Sequence, residues 1–264
     1  MVAAALKRLN YRWLWVLVAC LAAYSLYVPL SARLAPPPTV AEVFPHGTLR
    51  VGLDPSRPPF AYFEDDEYVG LEVELARALG TELDLPVQLV GLGFDGLYDA
   101  LTTNQVDIVI AGLQPTFISD GNNAVYSRHY FDAGLVLVSQ EGYETMRDLP
   151  GNRLAYEFGS VADAEAQRWL RRVRPYERQP YERPQYALDA VRLGQADAAL
   201  VTATQARLYL RQHPTFNATY EHTTHAWYTV TARVDQPDML ALINATLQHL
   251  DDTGRLGAIL DRWL

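Results

Sequence analysis

The chain has 264 residues, 49% hydrophobic and 20% charged, an ordinary globular composition long enough for one large domain or two small ones. Its net charge is −9, and because the first 34 residues hold four bases and no acid, the remainder carries −13. An acidic body does not attract phosphate backbones, which argues against nucleic acid as a partner.

The first predicted element is apolar. "WLWVLVACLAAYSLYVPL" (13–30) has no charge, and roughly 18–20 such residues span a bilayer as a helix. Lys7, Arg8 and Arg12 precede it, which favours a cytoplasmic N-terminus and a body outside. The run is longer than the apolar core of a cleaved signal peptide, and no Ala-x-Ala-type site stands out. Within it, Leu17-Val18-Ala19-Cys20 has the form of a lipobox, in which the cysteine is lipidated and becomes the new terminus. Residues 1–34 are therefore expected to be an uncleaved anchor, with a lipoprotein signal as the alternative. Either way the body is tethered to the cell membrane, facing the periplasm or the extracellular side. Cys20 is the sole cysteine, so no intramolecular disulfide can form. Residues 35–46, from "APPPTVAEVFPH", read as a stiff proline-rich linker.

From residue 47, strands and helices alternate. "TLRVGLD" (48–54) is a β-rich run ending in the turn "PSRPPF". "GLEVELARALGTEL" (70–83) carries Leu71, Leu75 and Leu79 at helical spacing. "PVQLVGLGF" is a second strand, "DGLYDALTTNQ" a helix and "VDIVIAG" a third strand, followed by the polar loop "LQPT". Strands apolar on both faces and separated by helices imply a parallel sheet covered on both sides.

The chain then repeats itself. "LYDALTTNQVDIVIA" (97–111) and "ALDAVRLGQADAALV" (187–201) share Asp-Ala and Gln-x-Asp at identical spacing, 90 residues apart. "GTLRVGLD" (47–54) and "GNRLAYEFGS" (151–160) also correspond. Two similar α/β lobes follow, with the ligand expected in the cleft between them, beyond the carboxyl ends of the strands. The arginine-rich "RWLRRVRPYERQPYERPQY" (168–186) is interleaved with glutamates and reads as a solvated helix face followed by an exposed edge strand. The histidines do not cluster at metal-ligand spacing; His222 and His225, three apart, read as a solvated strand end. No metal and no cofactor are expected.

Residues 47–264 resemble the family 3 solute-binding proteins, the type II periplasmic binding fold of amino-acid ABC importers. The stretches that carry the resemblance are "LRVGLDPSRPPFAYF", "GLEVELARAL", "FDGLYDAL", "VDIVIAGLQPT", "YSRHYF", "DLPGNRLAYEFGS", "ALDAVRLGQADAALV" and "MLALINATLQHLDDTGRLGAILDRWL", in that order. The resemblance implies an α/β fold of two lobes, each a mostly parallel sheet flanked by helices. Lobe 1 would comprise 47–134 and 226–264, and lobe 2 would comprise 135–225. It also implies a ligand-binding set. Asp54 ends the first strand. Phe60 matches the aromatic of the Pro-Phe turn that stacks on the ligand, Arg57 stands at the earlier aromatic position, and Phe94 matches the aromatic before Asp-Gly. Gly112, Gln114 and Thr116 match the carboxylate-holding loop. Gly159 and Ser160 match a turn whose free amides favour an anion at a helix start.

Two departures qualify the ligand. Where the family places an arginine that clamps the α-carboxylate, this chain has Ser119; where it places an aspartate for the α-ammonium, this chain has Thr202. A charged hydrogen bond contributes about 1.5–3 kcal/mol, so losing both handles argues against an ordinary α-amino acid held in the usual way. Arg57 either replaces the missing clamp or lines the rim in solvent. Glu72 reads as favouring the start of its helix, with a donor-binding role as the alternative. The resulting expectation is a non-enzymatic receptor for a small polar or anionic solute, with an ABC permease or a membrane sensor as partner. Some relatives of this fold are dehydratases acting on prephenate or arogenate, but the acids Glu72 and Glu157 have no paired partner visible in the sequence, nor is there a Ser-His-Asp or Cys-His arrangement.

Overall fold

The computed structural model describes residues 16–18, 20–21, 38–115 and 124–264. Among them no helix is long and apolar enough to cross a membrane; most of the anchor expected over 13–30 lies outside the described residues. The proline-rich linker contains one helical turn, α1 (Val40–Val43). The reason is local. "TVAE" has Thr and Glu three apart, and the Thr39 amide donates to Glu42 Oε2 at 2.7 Å while the Glu42 amide donates to Thr39 Oγ1 at 3.4 Å, a reciprocal cap.

The body, Val43–Leu264, forms one compact unit built on two five-stranded sheets. The chain first lays down β1 (Leu49–Leu53), the hairpin strands β2 (Ser56–Arg57), β3 (Ala61–Glu64) and β4 (Glu67–Val69), and helix α2 (Leu71–Leu83). Then come β5 (Val87–Gly91), α3 (Leu97–Thr102), β6 (Ile108–Leu113) and β7 (Ala124–Asp132). It passes into the second sheet with β8 (Leu135–Ser139), β9 (Arg153–Glu157), α4 (Val161–Trp169), β10 (Glu177–Tyr181), α5 (Pro184–Arg192), β11 (Ala198–Thr202), α6 (Ala203–Gln212) and β12 (Thr219–His222). It returns with β13 (Trp227–Arg233) and ends in α7 (Pro237–Asp252) and α8 (Arg255–Trp263).

The strand orders are β5-β1-β6-β13-β7 and β10-β9-β11-β8-β12. Four strands of each sheet run one way. The strand that runs against them, β13 in the first sheet and β8 in the second, is the one that follows a crossing between sheets. β10 lies at an edge, as its arginine- and glutamate-rich sequence led one to expect. The inner strands are apolar on both faces: β6 and β8 are buried throughout. Leu71, Leu75 and Leu79 of α2 are fully buried, four residues apart on one face.

The 90-residue repeat is a structural repeat. Arg50 and Arg153 stand near the starts of equivalent strands, and each grips the aspartate that follows the equivalent helix. Arg50 Nη2–Asp107 Oδ1 is 2.6 Å and Arg153 Nη2–Asp197 Oδ1 is 2.7 Å, with the Nε and backbone amide of each arginine on the other carboxylate oxygen. The Gln-x-Asp spacing shared by the two repeats is what brings each carboxylate beside the start of the neighbouring parallel strand.

The two crossings run side by side. The Ala133 amide donates to the Ala226 carbonyl at 2.9 Å, the Thr223 amide to the Leu135 carbonyl at 2.8 Å, and the Leu135 amide to Thr224 Oγ1 at 2.9 Å. Gly134 is required here, because a Cβ at that position would strike the Thr224 carbonyl.

Candidate functional site

The site grows from the turn after β1. Asp54, buried at the end of the strand, accepts from the Ser56 amide at 3.1 Å and the Ser56 hydroxyl at 2.7 Å. Through Oδ1 its carboxylate shapes the turn. The turn delivers Arg57 inward. The guanidinium donates through Nη1 to the Ala111 carbonyl and through Nη2 to the Tyr228 hydroxyl at 3.2 Å. It lies over the rings of Phe60 and Tyr228, at 5.6 and 5.5 Å from their centroids. Arg57 is thus half-buried and fixed, not a solvent-facing rim residue. Its remaining N–H groups make no hydrogen bond among the described residues.

Phe60 is 6% exposed and packs on Phe131 and Tyr228. Arg57 lies over one face of its ring. Gly112 makes this possible. Its φ is +61°, and a Cβ there would lie 2.5 Å from Arg57 Nη1 and 2.6 Å from Nη2, so only glycine lets the guanidinium rest on the β6 backbone.

Beneath Arg57 lies a buried polar chain that sequence reasoning placed elsewhere. The Gly112 amide donates to Tyr130 Oη at 3.2 Å, and the Tyr130 hydroxyl donates to Glu72 Oε1 at 2.7 Å. Glu72 is 1% exposed and its Oε2 has no hydrogen-bond partner among the described residues. Burial pushes its carboxyl up to about 7, against the opposing pull of the Tyr130 hydrogen bond and the Arg57 charge. Burial and the adjacent Glu72 hold the Tyr130 phenol well above its ordinary range, so it stays a neutral donor. The expectation that Glu72 serves the helix start is corrected: the start of α2 is held by its own Leu71 and Glu72 amides on the Pro59 and Phe60 carbonyls, at 3.0 and 2.8 Å. The carboxyl faces β6 and β7 instead.

The opposite side of the cleft comes from the second sheet. Thr202 caps α6: its Oγ1 accepts from the Gln205 amide at 3.3 Å, and Gln205 Oε1 accepts from the Thr202 amide at 3.0 Å. A threonine at this position keeps the cap while carrying no charge. Ser160 caps α4, accepting from the Ala162 and Asp163 amides at 3.1 and 3.4 Å, and Asp163 Oδ2 accepts from the Gly159 amide at 3.0 Å. That backbone hydrogen bond, with one from Gln167, holds Asp163 below the usual carboxylate range. The free amides expected at Gly159 and Ser160 thus correct to occupied ones: the chain supplies its own anion, Asp163, at the Gly159 amide.

A cavity of about 440 Å³ opens between the sheets. Gln114, Tyr228 and Ala226 line it from one side, and Val161, Arg168 and Thr202 from the other. Gln114 and Thr202 of the predicted set thus meet across one space. Arg57, Phe60 and Gly112 meet in the cluster against Tyr228, which belongs to both groups. Phe94 is not brought in: it is 49% exposed at the head of a short 3-10 turn and does not line this cavity. Thr116 and Ser119 lie outside the described residues. Tyr228 and Tyr130 went unread in the sequence, although each is an aromatic in a strand flanking a crossing between the sheets.

Residues 49–264 match the model of the bacterial extracellular solute-binding proteins, family 3. The chain belongs to this family. Its sequence is 28% identical over 226 residues to the L-cystine-binding protein TcyJ of Escherichia coli K12, covering 82% of each chain. It is 24% identical over 220 residues to the arginine-binding extracellular protein ArtP of Bacillus subtilis, covering 81% of this chain and 85% of the relative. Among solved structures, the L-cystine solute receptor of Neisseria gonorrhoeae superposes with a TM-score of 0.72 at 19% identity, over 86% of this chain and 96% of the receptor. An ancestral cyclohexadienyl dehydratase gives 0.71 at 20% identity, over 88% and 98%. These two likenesses are of fold. Family 3 membership makes this a solute-binding protein.

Proposed function

We propose that this protein is the extracytoplasmic receptor of an ABC importer and captures a small solute bearing an anionic group in the cleft between its two sheets. Residues 47–134 and 226–264 act as one lobe and 135–225 as the other, closing by rotation about the paired crossings. The segment before residue 35 tethers the body to the outer side of the cell membrane. The relatives that bind cystine and arginine, by their names, support an amino-acid-like solute.

The single observation that carries the anionic reading is Arg57. Its guanidinium is preorganised by Ala111, Phe60 and Tyr228, and it retains N–H groups for a carboxylate. Thr202 offers no charge for an ammonium group, so affinity is to rest on the anionic end of the solute together with Gln114. Glu72 is enclosed by Tyr130, which argues for a support of the site rather than a group that touches solute, and favours binding over turnover.

The test is a thermal-shift screen of the purified full chain against amino acids, dicarboxylates, short peptides and sugars. A solute that binds only the folded state raises the midpoint. The expected result is a response confined to solutes with a carboxylate and abolished by Arg57→Ala. An equal response in Arg57→Ala overturns the role of Arg57, and a response to neutral sugars alone overturns the anionic reading.

A further inference from the structure

We propose that the paired crossings carry a binding site for one divalent transition-metal ion of the zinc class, with Asp132, His222 and His225 as its protein ligands. Asp132 ends β7 just before the first crossing. His222 ends β12, and His225 lies within the second crossing. Sequence spacing joins only the two histidines; the fold adds a carboxylate 90 residues away.

Three observations carry the site. One ligand atom of each residue lies within 4.8 Å of the other two. His222 Nδ1 stands 3.4 Å from Asp132 Oδ2, close to the ~3.3 Å edge of a tetrahedron whose metal–ligand bonds are ~2.0–2.1 Å. That nitrogen is buried and has no hydrogen-bond partner among the described residues, which a bound cation would satisfy. His225 Nδ1 stands 2.6 Å from the same Oδ2, a hydrogen bond that must open by about 0.7 Å to admit a metal on the same geometry. On entry of the ion, the Nδ1 proton of His225 passes to solvent, since a metal-bound imidazole nitrogen must be unprotonated.

The surroundings orient these groups. Asp132 Oδ1 accepts from the Gly134 amide at 3.0 Å and the Ala226 amide at 2.9 Å, leaving Oδ2 for the ion. The His225 ring stacks on Trp227 at 4.6 Å and 8°, and the two histidine rings stack on each other at 5.7 Å and 22°. Two imidazoles and one carboxylate leave a fourth position for water. This donor set suits Zn²⁺, Co²⁺, Ni²⁺ and Cu²⁺ better than Mg²⁺ or Ca²⁺. Because the ligands come from both crossings, the ion would clip together the two strands about which the lobes move, and so stiffen the hinge. The inference does not depend on which solute fills the cleft.

The experiment is calorimetric titration of the chelator-treated full chain with zinc chloride, repeated with cobalt chloride and read by visible absorption. Thermal melts with and without zinc run in parallel. The variants are Asp132→Asn, which keeps the Oδ1 acceptor but loses the second carboxylate oxygen, and the double change His222→Gln, His225→Gln. The wild type is expected to bind one ion per chain and to melt higher with zinc. Both variants are expected to weaken binding by more than the roughly 10–100-fold that loss of an outer-shell partner costs, and to lose the zinc-dependent shift in melting. Circular dichroism verifies that each variant is folded; if one is not, the other decides. Absence of zinc binding to the wild type, or undiminished binding by a folded variant, overturns the site.

Discussion

Replacing Glu72 with glutamine tests the buried chain beneath the site. In the folded protein this carboxyl titrates near 7 rather than at the ordinary 4.5. The native state therefore holds a proton that the unfolded chain has released at intermediate pH, and stability falls as pH rises. The contribution is fully present below about 4.5 and is lost as pH rises through about 7. A displacement of that size corresponds to about 3 kcal/mol. Glutamine has no such proton. It keeps an acceptor for the Tyr130 hydroxyl, now 2.7 Å from Oε1, and replaces the unbonded Oε2 with an amide group whose buried donors cost about 1–3 kcal/mol at every pH. Urea unfolding of both proteins at pH 4.5, 5.5, 6.5, 7.5 and 8.5 separates the two effects. The constant cost appears as an offset, and the titration as a slope. The variant is expected to gain about 3 kcal/mol on the wild type between the ends of that range. Parallel stability curves for the two proteins would refute the reasoning, because they would show that Glu72 titrates alike in the folded and unfolded chains.

Gly112→Ala forces a left-handed conformation on alanine, at about 1–2 kcal/mol, and drives a methyl group into the Arg57 guanidinium; urea unfolding should show a loss of at least that size, together with a weaker solute response. Thr202→Asp keeps a good helix N-cap, so stability should hold within about 0.5 kcal/mol. It also restores a carboxylate facing the cavity, and a charged hydrogen bond of about 1.5–3 kcal/mol should raise affinity for α-amino acids roughly tenfold or more, read by calorimetry. Asp107→Ala and Asp197→Ala break equivalent arginine pairs, but the Asp107 side chain is 8% exposed and that of Asp197 23%. Both should lose about 1–3 kcal/mol in chemical denaturation, with the larger loss at Asp107, where the stranded arginine is less well reached by water.

Much of this architecture was legible along the chain. Leu71, Leu75 and Leu79 announce the buried face of α2 through spacing alone, because a helix turns every 3.6 residues. The recurrence of Asp-Ala and Gln-x-Asp 90 residues apart announces two equivalent lobes, and the structure supplies its reason in the matched Arg50–Asp107 and Arg153–Asp197 pairs. β10 reads as an edge strand because Glu177 and Arg178, within an arginine- and glutamate-rich stretch, could not be buried on both faces.

The site was less legible, because its parts are joined by distance in space and not by spacing. Phe60 was identifiable as an aromatic of the turn, but only packing shows that Arg57 lies over its ring. Ser160 was identifiable as part of a turn at a helix start, and Thr202 as the residue where an aspartate is expected after a strand. That their hydroxyls are spent on capping α4 and α6 depends on where each helix begins. Glu72 and Tyr130 are 58 residues apart and meet only because α2 packs against the first sheet.

By itself the sequence determined the alternation of strands and helices, the duplication and the family, since these follow from periodicity and order along the chain. Tertiary structure alone decided that Arg57 rests on a glycine between two aromatic rings, that Glu72 is buried deeply enough to titrate near neutrality, and that Asp132 joins His222 and His225 at the paired crossings. Periodicity shows which face of an element is buried. The contents of a site depend on which faces come together when two sheets close on one another, and that is set by packing across long separations.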